Sequence, residues 1–206
     1  MSKSWAEDLE LARGITAGDE ARLTELVRRL HGPLRRVAQA WLGPGANADD
    51  LVQETWEAVI DHLADYEGRA SLRTWITRIL VNRAKTKLSR AKPHIDIEAA
   101  ELAGDLPGTS FSSLGLWTGQ PSYATGPEEA LIRQRAREWL GVALAELPPA
   151  QRAVVTLRDV EEWTSEEVCN ALGLSESNQR VLLHRGRARL RAALQTTLDQ
   201  ERTPCP

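Results

Sequence analysis

Asp49, Asp50 and Glu54 put three carboxylates inside the stretch "DDLVQETWE". On a helix, Asp50 and Glu54 lie four apart and share a face, an arrangement that a divalent cation could use. Metal-dependent chemistry on an all-helical scaffold, such as prenyl transfer, would need a second acidic segment and aromatic rings to shield a carbocation. The chain lacks the segment and has one Phe and two Tyr. The same carboxylates also fit a capping Asp on a solvated helix face, or a face on which another protein docks. No metal ligand, catalytic residue or cofactor is assigned from these residues. Cys169 and Cys205 do not suggest a disulfide or a zinc knuckle, and Cys169, inside a helical pattern, reads as a small core residue.

The elements that would position these groups are helices. Helical periodicity dominates and alternating strand patterns are absent, so the expected fold class is all-α, with two small helical domains joined by a long flexible linker. An opening helix ends near Gly14. Leu23, Leu26, Val27, Leu30, Leu34, Val37 and Trp41 then recur at helical steps, with Pro33 expected to kink or break their helix. "GPGANADD" is a turn with Asn47 or Asp49 as cap, a helix follows to about Tyr66, and a basic helix is expected from about Ser71 to Arg90. Residues 1–92 form the first unit. Residues 93–127, rich in Pro, Gly and Ser and without a sustained period, form the linker. Helical period returns over 128–198, and 199–206 is a tail.

Net charge is only −3, but its distribution is uneven. Residues 1–68 hold 7 Lys+Arg against 13 Asp+Glu, a net of −6. Residues 69–92 hold eight basic residues and no acidic one, and residues 175–191 hold five Arg and one Glu. Two basic islands in an acidic chain suggest two nucleic-acid contacts, with other surfaces facing other partners. No apolar run is long enough to span a membrane, and "MSKSWAEDLE" lacks the apolar core of a signal peptide, so the expectation is a cytoplasmic protein with no membrane insertion.

At helical spacing, Thr74, Arg78, Asn82 and Lys85 fall on one side of the basic helix and Leu72, Ile76, Ile79 and Leu80 on another, with Trp75 on the edge. An aromatic residue bordering a basic stripe suits base stacking with phosphate contacts. The bland reading is a core Trp75 and solvated arginines.

In the last third, Thr164 and Glu167 form a capping box, Pro149 suits a first helical turn, Gly173 ends a short helix and Ser175 caps the next. A short helix, a tight turn and an Arg-rich second helix are the layout of a helix-turn-helix. Arg180, His184, Arg187 and Arg191 make a basic stripe. If Leu183 and Leu190 face inward, Val181 faces outward; a rotated helix would instead bury Val181 and Leu182 and expose Gln179.

The run "DDLVQETWEAVIDHLADYEGRASLRTWITRILVNRAKTKLSR" resembles region 2, and "LPPAQRAVVTLRDVEEWTSEEVCNALGLSESNQRVLLHRGRARLR" resembles region 4, of the extracytoplasmic-function (ECF) sigma factors of the bacterial sigma-70 family. The motifs are Asp-Asp-Leu-Val-Gln-Glu before an aromatic, Gly-Arg-Ala-Ser-Leu-x-x-Trp, and Leu-Pro-x-x-x-Arg ahead of the helix-turn-helix. The resemblance implies a factor without catalysis of its own that binds core RNA polymerase at the β′ clamp helices and β flap, directs it to −10 and −35 promoter DNA, and is restrained by an anti-sigma factor. Asp49, Asp50, Leu51, Gln53, Glu54 and Trp56 would then contact core polymerase. Gly68, Arg69, Ser71, Leu72, Arg73, Trp75, Arg78, Asn82, Arg83 and Lys85 would bind −10 DNA. Ser177, Asn178, Arg180, Val181, His184, Arg185 and Arg187 would bind −35 DNA. The alternatives are a stand-alone helix-turn-helix regulator of duplex operators and, more remotely, the metal-dependent enzyme.

Overall fold

A computed structural model describes residues 3–91, 135 and 138–202 of the chain, with side chains described for 5–90, 135 and 138–196. The expected linker, 93–127, lies outside the described residues. Among the described residues the ordered elements are helices: α1 (Lys3–Thr16), α2 (Glu20–Leu42), α3 (Ala48–His62) with a 3₁₀ turn at Leu63–Asp65, α4 (Leu72–Ala91), α5 (138–145), α6 (Pro149–Val155) with a π turn at Thr156–Val160, α7 (Ser165–Leu172) and α8 (Glu176–Arg202).

Local chemistry accounts for the boundaries. The Asp19 side chain accepts from the Arg22 N–H at 3.1 Å and opens α2. Of the expected kink or break at Pro33, the break does not occur: helix α2 runs on through the proline. Proline forfeits one backbone hydrogen bond there, but Leu30, Leu34 and Val37 on either side are buried and hold both halves in one core. Asn47 precedes α3 without a side-chain capping bond. Thr164 and Glu167 form the reciprocal capping box of α7, which closes at Gly173 with φ 70°, a left-handed conformation that glycine adopts without steric cost.

A continuous buried cluster links Ala12, Leu26, Trp41, Leu51, Ile76, Leu80, Val154, Trp163 and Leu182. The first four helices and the last four therefore pack against each other rather than standing apart. Helix α4 touches α2 and α3 on one side and α7 on another, and α2 also packs on α6. Arg152 is buried at this junction, donating through Nε to the Ala40 carbonyl at 2.5 Å and through Nη1 to that of Ala145 at 3.0 Å. Arg36 pairs with Glu161 across the same seam. One guanidinium thus joins the Ala40 carbonyl near the C-terminus of α2 to the Ala145 carbonyl that ends α5. No helix among the described residues is long and apolar enough to cross a membrane.

Candidate nucleic-acid interface

The acidic face of α3 comes first. Leu51 and Val52 are fully buried and Trp56 is 9% exposed, so Leu51 and Trp56 belong to the core and do not offer side chains to a partner. Alternation along α3 explains this: the three occupy the apolar stripe that faces α2 and α4, leaving Asp49, Asp50, Gln53, Glu57 and Ile60 exposed. Glu57 and Ile60 are absent from the sequence-derived set. Ile60, 57% exposed, is the signal that could have found them, an apolar residue on a polar stripe. Asp49 is paired with Arg35 at 2.8 Å, and Glu54 with Lys87 at 2.7 Å and Arg83 at 3.9 Å. Among the described residues no group of three or more His, Cys, Asp or Glu is gathered as a metal site.

Helix α4 is positioned by the loop before it. The Leu72 N–H donates to Asp8 of α1 at 2.8 Å, Ser71 Oγ accepts from the Thr74 N–H at 3.2 Å, and Tyr66 Oη donates to the Ala70 carbonyl at 2.6 Å. The Tyr66 and Trp75 rings lie 5.5 Å apart between centroids and tilted by 57°, so Trp75 is buttressed on one side and half-exposed on the other. Burial, with the Asp8 charge adding to it, pushes the Tyr66 hydroxyl up to about 12. A 270 Å³ cavity opens here between the Gly68–Ser71 loop and α4, bounded by Arg69, Thr74, Trp75 and Arg78, and by Asn170 of α7.

The expected basic stripe is divided. Arg78 and Asn82 are exposed, with no side-chain partner among the described residues, and Arg83 is half-buried toward Glu54. Leu72 and Thr74 are buried, Leu72 as core and Thr74 with its hydroxyl 2.8 Å from that of Ser71. Burial keeps the Leu72 side chain from a ligand, while Thr74 reaches the wall of the cavity. Arg69 pairs with Glu67. Arg73 and Lys85 turn toward the second half of the chain. Arg73 donates to Glu167 at 2.7 Å and stacks over Trp163, while Lys85 donates to the Leu172 carbonyl at 3.0 Å with Trp41 beneath it. Burial works to raise the Glu167 carboxyl, but the Thr164 backbone N–H and then Arg73 outweigh it and hold the group below its usual range.

In α8 neither sequence-derived orientation holds whole. Val181 is 39% exposed, as the first has it; Leu182 is buried, as the second has it. Gln179 is buried and accepts from Ser165 Oγ at 2.9 Å, which ties the two helices of the motif together. Leu183 and Leu190 are only half-buried. The helix instead seats Gln179, Leu182 and Gly186 against α6 and α7. A Cβ on Gly186 would lie 2.7 Å from Val155 Cγ2 and 3.2 Å from the Gln151 carbonyl. The exposed face carries Ser177, Arg180 and Val181, with Asn178, His184 and Arg185 half-exposed. Arg180 reaches Glu176 at 2.5 Å, and Arg187 is clamped by both oxygens of Asp159 at 2.6 and 3.0 Å, which raises its pKa further.

The half-exposed Trp75 beside the exposed Arg78, together with the outward face of α8, makes up the candidate interface. Residues 26–93 match Sigma-70 region 2, and residues 137–190 match Sigma-70, region 4. The chain belongs to the sigma-70 family. It is 32% identical over 77% of its length to the ECF RNA polymerase sigma factor SigG of Mycobacterium tuberculosis, and 28% identical over 92% to the RNA polymerase sigma factor NccH of Alcaligenes xylosoxydans. The match spans 45% of SigG, about half its length, and 96% of NccH. Among solved structures the fold is similar to CnrH in complex with the cytosolic domain of CnrY (TM-score 0.60, 23% identity, 92% of this chain and 97% of that one). It is also similar to the sigma factor RpoE bound to the anti-sigma factor NepR from Bartonella quintana (TM-score 0.59, 18% identity, 84% and 96%).

Proposed function

We propose that the chain is a promoter-specificity factor: it binds core RNA polymerase and directs initiation by recognising −10 and −35 DNA. The observation that carries the reading is the pairing of a region 2 match whose basic helix exposes Trp75, Arg78 and Asn82 with a region 4 match that ends in an exposed recognition face. Trp75 is placed to stack on an unpaired base, and Arg78 to meet a phosphate. Val181 and Arg180 are placed to read duplex edges. The mechanism is binding and strand capture without covalent chemistry, and it needs no metal or cofactor.

Core polymerase, contacted at the β′ clamp helices and β flap, would take the exposed part of α3 (Asp49, Asp50, Gln53, Glu57, Ile60) as one docking surface, with promoter DNA as the second partner and an anti-sigma factor as the third. The place of work is the cytoplasm. Purified chain added to core polymerase on a promoter library tests this, by sequencing transcript 5′ ends. The expected result is a set of defined start sites that depend on the chain. Duplex binding without core, and no new start sites with it, would favour a stand-alone regulator instead.

A further inference from the structure

Two kinds of contact hold α8 against the rest of its motif. Leu182 is buried, and Gly186 sits where an added Cβ would come within 2.7 Å of Val155 in α6, so these contacts fix how closely α8 lies on its neighbours. Gln179 differs from them in kind. It is 1% exposed, and its Oε1 accepts from Ser165 Oγ, in the first turn of α7, at 2.9 Å. Burial of apolar area is non-directional, whereas a hydrogen bond weakens steeply once its angle departs far from linear.

Stability alone does not account for a glutamine at this place. Its Nε2 is buried with no partner among the described residues, and a half-satisfied buried amide stabilises less than an apolar side chain of similar size. What the amide adds is direction. Gln179 stands between Asn178 and Arg180, in the same stretch of α8 as the exposed Ser177 and Val181. Side-chain tips lie about 5 to 6 Å from a helix axis, so a rotation of about 20° moves them by about 2 Å. A hydrogen bond to a base edge tolerates only about 0.5 Å.

We propose that Gln179 is a positioning residue for −35 recognition: bonded to Ser165, it sets the rotation of α8 on α7 and so decides which base edges Ser177, Arg180 and Val181 meet. This rests on the reading of the outward face of α8 as the −35 face. Gln179 is itself buried and acts through the hydrogen bond, not by touching DNA. An aliphatic residue in its place would keep α8 docked but let the exposed side chains shift between neighbouring edges. The Ser165–Gln179 pair thus contributes sequence preference rather than stability, the use for which a buried polar contact is best suited.

The test uses the full-length chain with core polymerase on a promoter library that holds the −10 element constant and randomises the −35 element, read by sequencing transcripts, alongside urea unfolding of the free chain. Ser165→Ala removes the donor at a half-exposed position, and Gln179→Leu replaces the amide by an apolar side chain of similar size. Each should lower the preference for the best −35 sequence over its single-base variants about fivefold at one or more positions, the scale of one misread base pair. The urea midpoint of Gln179→Leu should be no lower than that of wild type. The double variant should lose no more preference than either single one, because both remove the same bond. Ser165→Thr, which keeps a hydroxyl on the same carbon, should retain the wild-type preference. If Ser165→Ala and Gln179→Leu both keep that preference, or if their losses add in the double variant, the positioning role is wrong and −35 reading by α8 stands. If initiation by wild type does not depend on the −35 sequence, the reading of α8 is itself wrong, and the positioning role goes with it.

Discussion

The guanidinium of Arg73 lies 4.3 Å from the centroid of the Trp163 ring while its terminal nitrogen donates to Glu167. One side chain from the basic helix is thereby held by two residues of the helix-turn-helix half, nearly a hundred positions away. The contact changes how the charge of 69–92 is counted. Of its eight basic residues, Arg69, Arg73, Arg83 and Lys87 are paired with carboxylates, and Lys85 meets a carbonyl. Of the other described ones, Arg78 and Arg90 stand exposed, with Asn82 exposed between them.

Charge reversal on α3 should separate docking from folding. Asp50→Lys combined with Gln53→Ala alters two exposed side chains, so thermal stability should stay within about 0.5 kcal/mol of wild type. Affinity for core polymerase, measured by pull-down titration, should fall. Adding Ile60→Asp should weaken it further, because that residue is the apolar centre of the exposed stripe. Unchanged binding in the triple variant would remove α3 from the interface.

Val181 and Leu182 should behave as opposites. Val181→Ser, at an exposed position, should leave the melting temperature nearly unchanged and relax preference at an A·T pair of the −35 element by on the order of 1 kcal/mol. Leu182→Ala empties a buried site and should cost about 2 to 5 kcal/mol in urea unfolding. A Val181→Ser variant with intact promoter preference would show that the valine is not read out.

Gly186→Ala reports on the crossing of α8 over α6. At an open helix position the change would stabilise by about 1 kcal/mol. Here the added methyl meets Val155 at 2.7 Å and the Gln151 backbone at 3.2 Å, so the expected outcome is a loss of about 1 to 3 kcal/mol.

Much of this was legible in the sequence, for identifiable reasons. The capping box at Thr164, the stop at Gly173 and the span of α4 are local signals, read from neighbours within four residues, and the structure places them within a residue or so of expectation. Periodicity was less informative where a helix is covered on more than one side. Apolar spacing marks a single stripe on α4, but α2, α3 and α7 all pack on it, so Thr74 and Thr77 are buried as well as Leu72 and Ile76. In the same way Gln179 is buried with its carbonyl oxygen bonded to Ser165, a partner fourteen residues away that no pattern of apolar spacing reveals. The seam through Arg152 and Ala40 joins residues 112 apart and has no local signature.

The raised Tyr66 pKa gives a stability change at alkaline pH. With the folded value about 12 and the unfolded value near 10, the unfolded chain loses its proton first as pH rises. The contribution is complete below pH 10 and is lost as pH climbs toward 12. Urea unfolding across that interval should show a steeper loss of stability in wild type than in Tyr66→Phe, and coincident curves would mean that Tyr66 titrates normally.

If α4 captures the unpaired −10 strand, its variants should fail at strand opening. Complexes of core polymerase with wild-type chain, Trp75→Ala or Asn82→Ala on one promoter would be probed with permanganate, which reports unpaired thymines, alongside a filter assay for closed-complex binding. Closed complexes should form with similar affinity for all three, and thymine reactivity should be strong in wild type and lost or sharply reduced in both variants. Equal reactivity in wild type and Trp75→Ala would contradict it.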